Sequence, residues 1–227
     1  MRMKVLVVAA HPDDEVLGCG ATMARHAAAG DEVHVVILAQ GITSRGKPGA
    51  KRALSRLGQA ASKAAAVLGA RPPVLEAFPD NRMDSVPLLD VVKVIEGHLA
   101  RVAPRVIYTH HPCDLNVDHG VVHCALLTAC RPLPGSQVER ILCFEVPSST
   151  EWRSPLATEA FAPNWFVDVS RTLHLKLKAL EAYASEMRPF PHPRSLAAVE
   201  HLARWRGASA GFKAAEAFAL ARAVQPA

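Results

Sequence analysis

The sequence predicts one α/β domain, a mostly parallel sheet with helices on both faces. Two observations lead there. Lys4 to Ala10 (KVLVVAA) is an unbroken apolar, β-branched run, which is how a strand buried on both faces reads. Further runs of this kind alternate with helical, Ala-rich stretches, the order of parallel strands joined by crossover helices. The chain has 227 residues, a length that one such domain fills, so a single unit spanning 1–227 is expected.

The elements follow in order. Glu15 to Ala29 has helical spacing, and Gly30 stands at its C-cap. Glu32 to Gln40 is a second buried strand, and Gly41 to Gly49 a polar loop. Ala53 to Leu68 is a helix ended by Gly69. Pro73 to Phe78 is a third, short strand, followed by turn chemistry at Pro79-Asp80-Asn81. Val86 to Val102 is an amphipathic helix, Arg105 to Thr109 a fourth strand, and Asp118 to Cys130 a helix closed by Pro132 and Pro134. Ile141 to Val146 and Trp165 to Val169 are further strands. Arg171 to Met187 is a helix, Pro189 to Pro193 a prolyl loop, and Ser195 to Trp205 and Ala214 to Val224 are closing helices. The arrangement is Rossmann-like, and in such sheets ligands bind beyond the carboxyl ends of the strands.

Composition narrows the function. The net charge is +5, but the basic residues are scattered apart from Arg45, Lys47, Lys51, Arg52 and Arg56, and no aromatic series accompanies them. A solvated surface is expected, with no nucleic-acid partner. The opening apolar run is short and meets His11, and no stretch approaches the roughly 18 apolar residues of a membrane span. A cytoplasmic protein without a membrane span is the expectation. The cysteines are Cys19, Cys113, Cys124, Cys130 and Cys143, an odd number without Cys-x-x-Cys spacing, which supports neither a disulfide framework nor a thiolate metal site. Gly18-Cys19-Gly20 lacks the third glycine of a dinucleotide fingerprint, since Met23 stands there. Close helix–sheet packing is expected instead of nucleotide binding.

Chemistry concentrates at two strand ends. His11-Pro12-Asp13-Asp14-Glu15 follows the first strand directly. An aspartate near a helix N-terminus is ordinary capping, which does not account for the histidine and both aspartates together. His110-His111-Pro112-Cys113-Asp114-Leu115-Asn116-Val117-Asp118-His119 follows the fourth strand. Buried imidazoles and carboxylates are costly unless paired or metal-bound. A catalytic zinc takes about three N or O ligands and leaves a position open, and a nearby carboxylate that does not bind the metal can serve as base. The two segments can supply both.

AHPDDEVLGCG (Ala10 to Gly20) and NVDH (Asn116 to His119) resemble the two motifs of the PIG-L/LmbE family of zinc-dependent N-deacetylases, in order, spacing and placement at strand ends. The resemblance implies His11, Asp14 and His119 as ligands of Zn2+ or another divalent metal. It implies Asp13 as the general base that activates water, and Asp118 as the group that orients a histidine. The sequence departs from the family at Asn116, where many relatives have His, and at Asp114, where some have Tyr. Asn donates a hydrogen bond but transfers no proton, so the acid role falls to another group or Asp13 performs both steps. The implied activity is hydrolysis of an N-acetyl group on an amino sugar such as an N-acetylglucosamine derivative, or on a related sugar-containing molecule. The alternative keeps the metal and cleaves a non-sugar or thiol-conjugate amide. A homo-oligomer is in keeping with such relatives.

Further candidates lie nearby. One of His110 and His111 is expected to face the pocket. Asp80 and Arg82 follow the third strand, either as turn residues or as ligands for substrate hydroxyls or phosphate. His192, in the prolyl loop, is a candidate for the missing acid or oxyanion donor, although a plain linker is slightly favoured for that loop. Glu15 is expected either as a residue of the first helical turn or as a partner to a ligand.

Overall fold

The computed structural model describes residues 2–39, 41, 50–154 and 160–225. Strand β1 (Lys4–Ala9) leads into helix α1 (Asp14–Ala28), β2 (Glu32–Ala39) into α2 (Ala50–Leu68), β3 (Val74–Phe78) into α3 (Leu88–Val102), and β4 (Val106–His110) into α4 (Val117–Ala129). After β5 (Arg140–Phe144) come β6 (Trp165–Asp168), α5 (Leu173–Ala182), α6 (Leu196–Ala208) and β7 (Ala215–Ala223). They form one seven-stranded sheet in the order β3-β2-β1-β4-β5-β7-β6. Strands β1 to β5 pair in parallel, and β7 runs antiparallel to both β5 and β6.

Alternation along β1 explains why both faces are covered. Val5, Val7 and Ala9 join the core under α1, α2, α5 and α6, with Val16, Leu57, Leu180 and Val199. Leu6, Val8 and Ala10 join the core under α3 and α4, with Val91, Ile95 and Val122. The run from Val5 to Ala10 is apolar throughout because neither face meets water.

Two expected elements differ. Ala214 to Val224 reads as a helix by its alanines but forms β7, with Phe218 paired to Phe144 and Trp165. Helix propensity is a weak preference, and a slot between two waiting strands outweighs it. The helix expected to reach Met187 ends at Ala182, where Tyr183 turns its hydroxyl inward to Glu15 Oε1 at 2.6 Å. The loop expected over Gly41 to Gly49 lies, apart from Gly41, outside the described residues, as do Arg45 and Lys47. Among the described residues, no helix is long and apolar enough to cross a membrane.

Candidate metal and hydrolytic site

Strands β1 and β4 are neighbours, with Val7 beside Tyr108. The chain winds from β1 toward β2 and β3 on one side, and from β4 toward β5 on the other. In sheets of this kind, such a reversal is where a ligand crevice lies, at the carboxyl ends of the strands. Both His/Asp segments empty into it.

The turn after β1 is tightly drawn. Asp13 has φ 112°, a left-handed conformation that side chains seldom adopt. Such a strained backbone persists only where its surroundings hold it. Glu15 supplies the hold, accepting the Asp13 N–H on Oε2 at 3.0 Å while Oε1 takes the Tyr183 hydroxyl. The Asp13 carbonyl accepts from Val16 N and Leu17 N at 3.1 and 2.9 Å, so the helix begins at once. Asp14 folds back, its Oδ2 accepting the His11 N–H at 2.8 Å.

His11, Asp14 and His119 meet in this crevice. Their ligand atoms lie within 4.8 Å of one another. Asp14 Oδ2 is 3.2 Å from His11 Nδ1 and 3.2 Å from His119 Nε2. Both nitrogens of His119 are buried, yet neither makes an aligned hydrogen bond. A buried imidazole left so is costly, and a divalent ion among these three donors would satisfy it. One carboxylate and two imidazoles are a donor set that suits zinc.

Carboxylates face the far sides of both imidazoles, as in many metal sites. His11 Nε2 lies 2.9 Å from Asp118 Oδ2 and 3.4 Å from Asp80 Oδ1. His119 Nδ1 lies 3.1 Å from Asp114 Oδ2. The carboxylate of Asp118 therefore contacts His11 rather than its chain neighbour His119. Asp118 also accepts the backbone N–H of Asn81 at 2.6 Å and of Met83 at 2.9 Å, pinning the loop after β3 to the start of α4. Asp114 accepts from Thr150 Oγ1 at 2.6 Å, from Asn116 N at 2.9 Å, and from Ser149 Oγ. His11, Asp80 and Asp118 are likewise close enough to hold a cation, but Asp118 there is already engaged by two backbone amides.

Asp13 stands beside this cluster, and its carboxylate faces Arg194 Nη1 at 3.5 Å. The two neighbouring aspartates are driven apart in acidity. Burial pushes Asp13 well above the usual carboxylate range, and the negative charges of Asp14, Glu15 and Glu186 add to this against Arg194. Burial opposes ionisation of Asp14 too, but His119 and His11 outweigh it and hold the carboxyl well below that range. The two adjacent carboxyls thus differ widely in proton affinity.

The remaining candidates sort by contact. His110 is fully buried; its Nε2 accepts the Ala10 N–H at 2.8 Å, and its ring stacks on His119 at 3.9 Å. His111 is buried against Phe161, its Nδ1 accepting the Cys113 N–H at 3.2 Å. Asn116 caps α4, its Oδ1 accepting the Asp118 N–H and its Nδ2 donating to Asn81 Oδ1, both at 2.9 Å. Arg82 is exposed on the loop that carries Asp80. His192 accepts the Arg194 N–H on Nδ1 at 3.1 Å and meets Trp152 edge-on at 5.8 Å. The prolyl loop, expected as a plain linker, instead leads into Arg194, which faces Asp13. The sequence showed Arg194 only as one charge of that loop, and nothing in it placed this arginine at Asp13. Cys113, with Thr150, Arg153, Phe161 and Arg206, lines a cavity of about 250 Å³ beside the cluster.

A profile of the PIG-L family, described as GlcNAc-PI de-N-acetylase, matches residues 6–130, which include both His/Asp segments. The chain is 30% identical over 190 residues to the uncharacterized deacetylase YaiS of Escherichia coli (strain K12), covering 81% of this chain and 92% of that protein. Its fold is similar to that of the conserved protein TT1542 from Thermus thermophilus, with TM-score 0.77, 27% identity, and 99% and 97% of the two chains covered. It is also similar to the N,N'-diacetylchitobiose deacetylase from Pyrococcus horikoshii, with TM-score 0.78, 19% identity, and 97% and 84% covered.

Proposed function

The chain belongs to the PIG-L family, and from that premise we propose that it is a metal-dependent deacetylase, a hydrolase that removes the N-acetyl group of an amino sugar or sugar-containing small molecule. The observation that carries the reading is the buried His11–Asp14–His119 cluster with Asp13 beside it. A relative with a deacetylase name and a similar fold in a diacetylchitobiose deacetylase support both the reaction and a sugar amide as substrate.

His11, Asp14 and His119 would hold Zn2+ or another divalent ion. When bound, the ion supplies Lewis acidity toward the acetyl oxygen and makes water a stronger acid. The chain's own groups handle the protons. Asp13 takes the proton of the attacking water, which its raised proton affinity favours. The same carboxyl then returns a proton to the leaving amine. Asn116 cannot do so, and its side chain is already committed to the α4 cap and to Asn81. Glu15 holds the Asp13 backbone and Arg194 the Asp13 carboxylate, so the base is fixed from two sides.

Trp152 fits a sugar substrate. The residue is 51% exposed, although Thr150, two residues earlier, is bonded to Asp114. Its edge partner His192 lies two residues from Arg194, which faces Asp13. The aromatic pair thus joins the two arms that reach the cluster, where an exposed ring offers a pyranose a stacking surface.

The test is acetate release from a panel of N-acetyl sugars and nucleotide sugars by metal-depleted protein, with and without added Zn2+. Turnover that needs the metal and falls at least a hundredfold in Asp13→Asn is expected, on the order of what a general base contributes. Near-normal turnover of Asp13→Asn with metal bound would show the base to be misassigned. Metal-dependent turnover of acyclic or thiol-conjugate amides alone would overturn the sugar substrate.

A further inference from the structure

Helix α1 is broken at Cys19, where φ is −144° and ψ 22°. The break separates a short first segment, carrying Asp14 and Glu15, from the longer remainder. A buried ion pair fills it. Lys176, from α5, donates to the Leu17 carbonyl at 2.7 Å and to Glu216 Oε1 at 2.6 Å. Glu216, from β7, accepts the Ala21 N–H on Oε1 at 3.1 Å and the Thr22 N–H on Oε2 at 2.6 Å. Thr172 Oγ1 completes the contact on the Ala21 carbonyl at 2.8 Å.

A continuous helix would join the Leu17 carbonyl to the Ala21 amide. Here an ammonium takes that carbonyl and a carboxylate takes that amide. The cation thus meets the carboxyl end of the first segment and the anion meets the amino end of the second, the polarity each terminus favours. The glycines flanking Cys19 allow close packing beside the break: a Cβ on Gly18 would enter the Phe144 ring, and one on Gly20 would press on Val16 Cγ1 at 3.0 Å. Lys176 and Glu216 are 4% exposed each. A buried ion pair is weak evidence of stabilisation as such, so its place within a helix ladder calls for another reason.

We propose that Lys176 and Glu216 are positioning residues for the metal and hydrolytic site: they splint the break in α1, and so fix the turn bearing Asp13 and Asp14 against His119. The turn needs such support, because Asp13 is strained and its own side chain does not cap the helix. With the splint in place, the first segment is tied to α5 and β7 and points its aspartates at the end of β4. This rests on the reading of the cluster as a metal site, and the experiment separates the two.

The experiment compares wild type, Glu216→Gln and the double variant Lys176→Met/Glu216→Met in the full chain. Each is followed by thermal melting, by Zn2+ and Co2+ titration, and by kcat and KM for acetate release from an N-acetyl sugar that wild type cleaves. Glu216→Gln keeps the shape of the side chain and removes its charge. The double variant replaces the pair with apolar groups of similar reach and leaves no lone buried charge, so it remains informative if the single variant does not fold. Both are expected to melt cooperatively, while metal affinity or kcat falls roughly 10–100-fold with KM little changed. Folded variants with wild-type metal affinity and kcat would overturn the positioning role, and so would a lower melting temperature as the sole effect. A wild type that binds neither ion at this cluster would instead sink the metal reading, and the inference with it.

Discussion

Asp118 turns its carboxylate to His11, 107 residues earlier in the chain, rather than to its neighbour His119. It reaches His11 Nε2 at 2.9 Å, while His119 Nδ1 faces Asp114 at 3.1 Å. Each imidazole of the cluster thus has its own carboxylate, both drawn from the short stretch between β4 and the first turn of α4.

Replacing Asp118 with Asn should therefore act on His11 and on the loop after β3 together. The neutral amide weakens the bonds from Asn81 N and Met83 N. Weakening buried hydrogen bonds to a charged group costs about 1–3 kcal/mol, and the loss of a ligand's orienting partner costs roughly 10–100-fold in metal affinity. Calorimetric melting and Zn2+ titration read the two effects separately. An unchanged affinity in a destabilised protein would leave Asp118 as a loop anchor alone.

Asp114 gives a pH prediction. Burial opposes its ionisation, but His119 and the hydroxyls of Ser149 and Thr150 outweigh burial and hold the carboxyl down to about 2. The unfolded chain titrates near about 3.9. The folded value is the lower one, so the stabilisation is fully present above the unfolded value and is lost as pH falls toward about 2. Metal-free Asp114→Asn should accordingly lose part of the difference in stability between about pH 5 and about pH 2.5 that the parent shows in urea melts. An equal pH slope in both proteins would refute the pairing.

How much of this was legible follows from how local each relationship is. HPDD is contiguous, and its place after an apolar strand marked the site, as did the histidine-rich segment after β4. Pairings across the fold left no trace. Which histidine Asp118 would meet depends on the crossing of the loops from β1, β3 and β4. Arg194 reaches Asp13 over 181 residues, through a loop that begins where α5 ends at Ala182. Strand β7 was hidden because alanine suits a helix by propensity and a crowded sheet slot by size. Its buried Glu216 makes sense only once Lys176 and the break in α1 are opposite it.

Metal removal should lower stability measurably. A ligand that binds only the folded state at about a hundred times its dissociation constant adds about 2.7 kcal/mol. For a chain of this length that amounts to roughly 5–10 °C in melting temperature. Scanning calorimetry of chelator-treated and Zn2+-reloaded protein checks it, with His119→Ala as control. A melting shift that persists in His119→Ala would place the ion elsewhere.

Gly18→Ala should destabilise by about 1–3 kcal/mol, the usual range for overpacking a core. The added methyl would meet Phe144 Cδ2 at 2.3 Å, and that ring is itself fully buried. Gly18→Ala combined with Phe144→Leu should recover part of the loss. Additive destabilisation in the double variant would show the clash to be relieved by backbone movement instead.

Trp152→Ala separates sugar recognition from chemistry. The ring is exposed, and its arm is anchored through Thr150 rather than through the indole. Its removal should leave the donors and Asp13 in place. Burying about 40 Å² of apolar ring surface against a sugar face is worth about 1 kcal/mol, so KM for an N-acetyl hexosamine should rise roughly 2–10-fold with kcat held. An acyclic N-acetyl amine of similar reactivity has no ring face to stack and should show no change. Equal loss on both substrates would mean that Trp152 supports the Asp114 arm, and a drop in kcat alone would place it in the proton-transfer machinery.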